Sequence, residues 1–269
     1  MRLDQAIAAR FPSISRRKAR QLLAQNRVLV NERPVATASR QVQDSDRLAI
    51  VDEIPALSIV RRTDDWIAID KPTGVPSQPT REREQRSAEE LLRLMLKQEG
   101  GSSQVFVVHR LDTATSGVLL FARNQAAARR LSQLFATRSV RKTYLAIVDG
   151  VLEAEVTVDQ PIARSGERSF SVSPDGKTAE TIVRPLAAAA TGTLVEVEIR
   201  SGRTHQIRVH LASLGHPVRG DRKYSSALSA PRLMLHAWRL ELPGIEELVA
   251  AFPDDLRAAA AALGLTLPR

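Results

Sequence analysis

An α+β fold with a mixed, mostly antiparallel sheet, preceded by a small α/β unit, is what the sequence of this 269-residue chain predicts. Three observations carry that expectation. Leu152 to Val158 and Thr193 to Arg200 alternate, the latter setting Val195, Val197 and Ile199 against Glu196, Glu198 and Arg200, the pattern of antiparallel strands with one solvated face. Only a few helical stretches are interspersed among such segments. Charge is also uneven: residues 1–50 hold ten Lys or Arg against four Asp or Glu, so about +6 of the net +9 lies in the first fifth of the chain.

Element by element, the chain opens with Leu3, Ile7 and Phe11 at i, i+4 and i+8, which suits a short amphipathic helix. Ser15 reads as the N-cap of a second helix that ends near Asn26 and buries Ala19, Leu22 and Leu23. Arg16, Arg17 and Arg20 then fall on the side away from that stripe. Val28-Leu29-Val30 and Arg47 to Val51 read as short strands, with a turn at Asn31-Glu32-Arg33-Pro34. Residues 1–51 are expected to form this basic unit, 52–58 a linker in which Pro55 stops a helix, and 59–269 the larger domain.

In that larger part, Ile59-Val60 and Trp66 to Asp70 read as strands, with Lys71-Pro72-Thr73-Gly74 as the turn that follows. The polar run Gln78 to Arg86 reads as an exposed loop, and Ser87 with Glu90 as a capping box for a helix that stops at Gly100-Gly101. Asn124 caps a helix turning Leu131, Leu134 and Phe135 inward and Arg129, Arg130 and Arg138 outward. Pro174-Asp175-Gly176 is a turn signal. Thr204 is placed as the cap of a helix burying Ile207, Leu211 and Leu214 and ended by Gly215. A last helix follows Phe252-Pro253 and packs through Leu256 and its alanines.

Composition limits the function. A net charge of +9 and a pI near 10.7 point to a polyanionic partner, nucleic acid before membrane. Without Cys there is no disulfide, thiolate nucleophile or Cys-ligated zinc. The first twelve residues lack the apolar core of a signal peptide, and no run approaches the ~20 apolar residues that span a bilayer, so a cytoplasmic protein is expected. His205 and His210, five apart, would lie about 140° apart around a helix, which argues against a shared metal; the histidines read as hydrogen-bonding scaffold.

The stretch with the most chemistry in it is His109-Arg110-Leu111-Asp112-Thr113-Ala114-Thr115-Ser116-Gly117, followed at once by the apolar run Val118 to Ala122. A polar turn beside a buried strand can hold one carboxylate, Asp112, in a fixed place. The bare pattern also suits an ordinary turn whose Asp bonds its own backbone. Read whole, H-R-L-D-x-x-T-S-G-V-L-L-F-A-R resembles the catalytic motif of the RluA-type RNA pseudouridine synthases. The likeness extends through Trp66 to Gly74, Arg141 to Ala146, Gly202 to His210 and Leu235-His236-Ala237, in the family's order. Tyr224-Ser225 departs from the family's usual Tyr-Gly, and Trp238 follows the last motif.

The resemblance implies that Asp112 is the catalytic carboxylate and that Arg203, ninety-one residues on, is the cation that offsets its desolvation. It implies that Tyr144 stacks on the target uracil and that Arg110 enters the RNA in place of the extruded base. His109, Thr115 and Thr204 would be substrate contacts. Alone, Arg203 would read as a surface residue and Tyr144 as a core tyrosine. S-R-x-x-A-x-x-L-L-x-x-x-x-V-x-V-N and D-x-D-R-L-x-I, at Ser15–Asn31 and Asp44–Ile50, resemble the RNA-binding domain of ribosomal-protein-S-four type. That likeness implies that Arg16, Arg17, Lys18, Arg20, Arg27 and Arg33 dock RNA backbone.

The expectation is therefore a monomeric RNA pseudouridine synthase that needs no cofactor or metal, acting on structured RNA, with large-subunit ribosomal RNA or its assembly intermediates favoured over transfer RNA. The rivals are an RNA-binding or ribosome-assembly protein that no longer catalyses, and a nucleic-acid glycosylase. How Asp112 acts stays open among attack on the sugar, attack on the uracil ring and removal of the 2′ proton.

Overall fold

The structure is a computed structural model that describes residues 1–269 apart from 25–26, 32, 51–56, 80–86, 168, 225 and 269, with 33–34 described by their backbone alone. Helices α1 (Leu3–Arg10) and α2 (Arg16–Ala24) precede a small sheet of β1 (Val28–Val30), β2 (Arg33–Pro34) and β3 (Leu48–Ile50), ordered β2-β1-β3. Leu3, Ile7, Ala19, Leu22, Leu23, Val28 and Val30 make its core, as the helical spacing requires. Ser15 Oγ accepts the Lys18 N–H at 3.2 Å, the expected cap. The expected helix end at Asn26 lies outside the described residues. The turn is tighter than the four residues expected, because Arg33 and Pro34 already pair with Val30 and Leu29, and Asn31 takes the left-handed φ of 51° that Asn tolerates; Glu32 lies outside the described residues.

The rest of the chain runs β4 (Ser58–Arg62), β5 (Trp66–Lys71), α3 (Ala88–Gln98), β6 (Phe106–Val107), β7 (Ser116–Ala122), α4 (Gln125–Ala136), β8 (Arg141–Asp149) and β9 (Val156–Asp159). It continues with β10 (Ile162–Arg164), β11 (Phe170–Val172), β12 (Glu180–Ala189), β13 (Gly192–Ile199), α5 (Gln206–Ser213), β14 (Leu235–Leu242), β15 (Ile245–Val249) and α6 (Asp254–Ala262). Among the described residues one sheet of ten strands follows the order β4-β5-β7-β14-β8-β13-β12-β9, with β15 on β14 and β6 on β7. Among the described residues only β7 and β14 pair in parallel, so the sheet is mixed and mostly antiparallel, as expected.

Period-two alternation divides the central strands between two cores. Ile67, Ile69, Leu119 and Phe121 pack with Leu91, Leu92 and Leu96 of α3 on one face. Trp66, Ala68, Val118, Leu120 and Ala122 pack with Ala127 and Leu131 of α4 on the other. The continuous apolar run of β7 is thus explained by cover on both faces. β13 also departs from the expectation of one solvated face: Glu198 is buried under Arg141, Arg184 and Arg200, and Arg184 also pairs with Glu196.

Other boundaries shift. Leu152 to Glu155 is not strand, and β9 begins at Val156. Of the expected linker, 52–56 lie outside the described residues, Leu57 is buried in the main core and Ser58 opens β4. Of the expected loop Gln78–Arg86, 80–86 lie outside them as well. The Ser87–Glu90 capping box forms in both directions, and Asn124 Oδ1 caps α4 through the Ala127 N–H at 2.8 Å. No helix among the described residues is long and apolar enough to cross a membrane.

Candidate active site

β7 and β14 meet at their first residues, Ser116 beside His236 and Gly117 beside Ala237. Gly117 has φ 114°, and a Cβ there would lie 2.1 Å from the Ala237 carbonyl oxygen, so only glycine admits this approach. Ser116 Oγ and His236 Nδ1 are hydrogen-bonded at 2.9 Å across the same junction. Immediately before it runs the turn that carries Asp112.

That turn is held by its backbone. Ser77 Oγ donates to Leu111 O at 2.8 Å, Thr73 Oγ1 to Ala114 O at 2.9 Å and the Gly74 N–H to Thr113 O at 2.7 Å. Lys71 is not part of a turn, as the sequence suggested. It ends β5 with its side chain completely buried and its Nζ donating to the Pro72 and Val75 carbonyls at 2.9 and 2.7 Å. Burial depresses the Lys71 ammonium to about 7, against the pull of nearby Asp112. A carboxylate on a turn pinned at three successive levels has little freedom beyond its own χ angles.

The cation beside Asp112 is Arg208, whose Nη1 lies 3.5 Å from Asp112 Oδ2. This corrects the expectation for Arg203, whose guanidinium donates from Nε to Thr178 O at 3.0 Å while the residue lines the same pocket. Arg203 precedes α5, whereas Arg208 lies within it. His205, at φ 57° and ψ 19°, is its N-cap in place of the expected Thr204, and the helix that follows turns Arg208 inward. Arg208 is itself fixed by Asp221, buried, through Nε at 2.6 Å and Nη2 at 2.8 Å, a two-pronged pair of the strong kind. Asp221 also accepts the Lys223 and Tyr224 N–H groups, so the triad Asp112–Arg208–Asp221 is tied to the following loop. His205 Nδ1 and Tyr224 OH are hydrogen-bonded at 2.7 Å, and His205 Nε2 stands 3.9 Å from Asp112 Oδ2.

Tyr144 lies on β8 between Ala237 of β14 and Val197 of β13 and lines the Asp112 pocket. Burial, then the charge of Asp112, pushes its hydroxyl well above the usual phenol range, so Tyr144 brings a neutral phenol to the Asp112 pocket. Arg110 is exposed at the rim, and Thr115 and Thr204 line the wall. His109 lines the neighbouring pocket instead: its Nε2 accepts the Leu120 N–H at 2.9 Å, its ring stacks on Phe135 at 4.5 Å, and burial holds it near 3, in the neutral form that can accept. His210 is scaffold too, hydrogen-bonded to Thr181 Oγ1 and Gln160 O. The pocket at Asp112 measures about 80 Å³, and its floor of carboxylate and flat ring suits a planar base brought against a nucleophile or base.

In the basic N-terminal unit, Arg17 and Lys18 are exposed. Arg16 and Arg20 turn back to fully buried Asp4, donating to Oδ2 at 3.2 and 2.9 Å, while half of each side chain stays in solvent. Arg27 is half-buried, and the side chain of Arg33 lies outside the described residues. Arg208, Lys71 and Tyr224 are the site residues that sequence reasoning missed. The signal for Arg208 was present: an arginine between Ile207, Val209 and Leu211 is a charge in an apolar setting, and such a charge requires a carboxylate.

An RNA pseudouridylate synthase family model matches residues 65–213, and an S4 domain model matches residues 1–48. The chain is 34% identical over 290 residues to ribosomal large subunit pseudouridine synthase D of Nitrosomonas europaea, covering 96% of this chain and 83% of that one. It is 35% identical over 227 residues to an uncharacterized RNA pseudouridine synthase of Bacillus subtilis, covering 80% and 75%. Among solved structures it resembles human RNA pseudouridylate synthase domain containing 4, with a TM-score of 0.68 at 27% identity over 79% of this chain and 95% of that one.

Proposed function

Because this chain belongs to the RNA pseudouridylate synthase family and is an isomerase acting on RNA, we propose that its substrate is a uridine of large-subunit ribosomal RNA and that Asp112 begins the reaction. The observation that carries the reading of the site is the 3.5 Å approach of Arg208 to Asp112 in a pocket that Tyr144 also lines. The large-subunit substrate is supported by relatives named ribosomal large subunit pseudouridine synthase D in Nitrosomonas europaea and Salmonella typhimurium, and by the S4 domain match at the basic end of the chain.

The reaction breaks the bond between uracil N1 and the ribose C1′, turns the base, joins C5 to the same C1′, and releases the C5 proton to water while N1 takes one up. It is redox-neutral and consumes no second substrate, so the residues of this chain suffice. Attack on the sugar, attack on the ring and removal of the 2′ proton all begin with a carboxylate where Asp112 stands. Arg208 keeps that carboxylate oriented. Tyr144 holds the plane of the extruded base, repaying part of the few kcal/mol lost on unstacking. Arg110, at the rim, fills the space the base leaves; Arg203, Thr115 and Thr204 contact the substrate from the pocket wall.

In this reading residues 1–51 dock RNA through Arg16, Arg17, Lys18, Arg20, Arg27 and Arg33, residues 59–269 catalyse, and the protein works as a cytoplasmic monomer. The buried Asp4 aims Arg16 and Arg20 while leaving guanidinium surface for phosphate. Tritium release from RNA labelled at uracil C5 tests the substrate. Release from large-subunit ribosomal RNA or its partly assembled particles is expected, and release from transfer RNA alone would refute the assignment.

A further inference from the structure

Beside the Asp112 pocket lies a second cavity of about 420 Å³, lined by Phe135, Arg138 and Lys142 and sharing Arg110, Tyr144 and Arg203 with the first. Four of its residues are cationic, and no carboxylate lines it. Among the described residues, none of Arg110, Arg138, Lys142 or Arg203 has a carboxylate within ion-pair distance. Elsewhere in the domain Arg208, Arg219, Arg232 and Arg184 are matched to Asp221, Asp149, Asp255 and Glu155, while half-buried Arg123 is held by the Thr63 carbonyl. A concentration of unmatched charge in one concave place is the signature of an anion that arrives from outside.

Lys142 makes the point sharply. It is 8% exposed, and its ammonium, with three protons to donate, gives one to Arg200 O at 3.0 Å and lies 5.9 Å from the Phe135 ring centroid. Arg138 and Arg203 are brought to one residue, Thr178, the first through Nη2 to Oγ1 at 3.2 Å and the second through Nε to the carbonyl at 3.0 Å. Thr178 thus holds both guanidinium groups at one side of the cavity.

The backbone at Arg138 adds a separate sign. Helix α4 ends in a Schellman turn, with the Ser139 N–H on Leu134 O at 3.0 Å and the Arg138 N–H on Phe135 O at 3.3 Å. The left-handed residue of that turn, normally glycine, is here Arg138 at φ 57°. Arg138 thus carries its side chain at a position whose backbone favours glycine.

We propose that this second pocket is a subsite for a nucleotide flanking the reactive uridine, with Lys142 and Arg138 holding its phosphodiester and Phe135 its base. The chain would thereby grip the strand next to the extruded uridine. This rests on the RNA-isomerase reading above and adds a site to it. The phosphate class follows from the four cations, and the base from an aromatic ring within the pocket that is already stacked on His109.

The test uses the full-length protein, RNA binding at several salt concentrations and tritium release from the RNA that the wild type modifies. Arg138→Gly should melt at the same or a higher temperature, because glycine suits the turn. Yet its log Kd against log salt slope should fall by about 0.7 to 1, the value of one phosphate contact, and its KM should rise about tenfold. Lys142→Met should show the same loss and Lys142→Arg should recover the slope. In an oligonucleotide spanning the modified uridine, replacing one flanking phosphate at a time by neutral methylphosphonate should reveal a position at which wild type and Lys142→Met become equal. Unchanged slopes and KM in both Arg138→Gly and Lys142→Met, or no methylphosphonate position that equalises them, would overturn the subsite. A wild type that releases tritium from no RNA would overturn the parent reading instead.

Discussion

Replacing Arg208 separates orientation of the proposed catalytic carboxylate from simple structural support. Arg208→Met removes a guanidinium that bonds Asp221 twice, at 2.6 and 2.8 Å, and approaches Asp112 at 3.5 Å. Stripping one partner from a buried pair costs roughly 3–5 kcal/mol. Because Asp221 keeps the N–H groups of Lys223 and Tyr224 at 3.1 and 3.2 Å, the lower end, about 3 kcal/mol, is expected. For a chain of this size that is a fall of roughly 6–12 °C in melting temperature. Freed of its counter-ion, Asp112 should lose alignment, and kcat should drop about 100-fold, the usual cost of misplacing a reacting group by about an ångström. The double variant Arg208→Met with Asp221→Leu removes the stranded charge and should regain most of the stability. It should regain none of the rate. Thermal melting beside single-turnover tritium release reads both. If kcat returned together with stability, Arg208 would be scaffold alone and the orienting argument would be wrong.

Two further perturbations follow from the same framework. Gly117→Ala places a Cβ 2.1 Å from Ala237 O at a φ of 114°, and should cost at least about 2 kcal/mol and separate β7 from β14; Gly264→Ala, at φ 70° with open space around it, should cost only the backbone strain of about 1 kcal/mol. Comparative denaturant melts decide it, and equal losses would argue against the close approach. Asp4 gives a pH signature: burial pushes its carboxyl up, but hydrogen bonds from Arg20, Arg16 and Arg2 outweigh that and bring it to about 2. With the folded value below the ordinary 3.8, its contribution is complete above about pH 4 and disappears as pH falls toward 2. Discounted for the solvent around those arginines, it is worth roughly 1–2 kcal/mol. Asp4→Asn should therefore lower stability at pH 6 and flatten its decline between pH 4 and 2, as read from urea melts of both proteins.

What the sequence made legible was what short-range physics decides. The Ser87–Glu90 box, the Asn124 cap and the strand at Trp66 to Asp70 each depend on neighbours within a few residues, and each formed where expected. The motif around Asp112 named its turn correctly, yet the choice between Arg203, which precedes α5, and Arg208, inside it, depended on which of them tertiary packing brings to Asp112. Lys71 was read as a turn residue because the carbonyls that enclose its Nζ come partly from Thr113, forty-two positions on. Glu196 and Glu198 looked like a solvated face because their covering arginine, Arg184, belongs to the adjacent strand of a sheet whose width no local pattern reveals. The unmatched cations at Lys142 and Arg138 were visible as residues, but their lack of carboxylates is a fact of tertiary arrangement.

The central claim is that Asp112, held by Arg208 against Tyr144, starts the isomerisation. Single-turnover tritium release from C5-labelled large-subunit ribosomal RNA by Asp112→Asn, beside wild type and with RNA binding measured in parallel, tests it most directly. The account predicts undiminished binding and no release from the variant, since the amide keeps the shape and loses the charge. Release from Asp112→Asn at a rate near that of the wild type would contradict it.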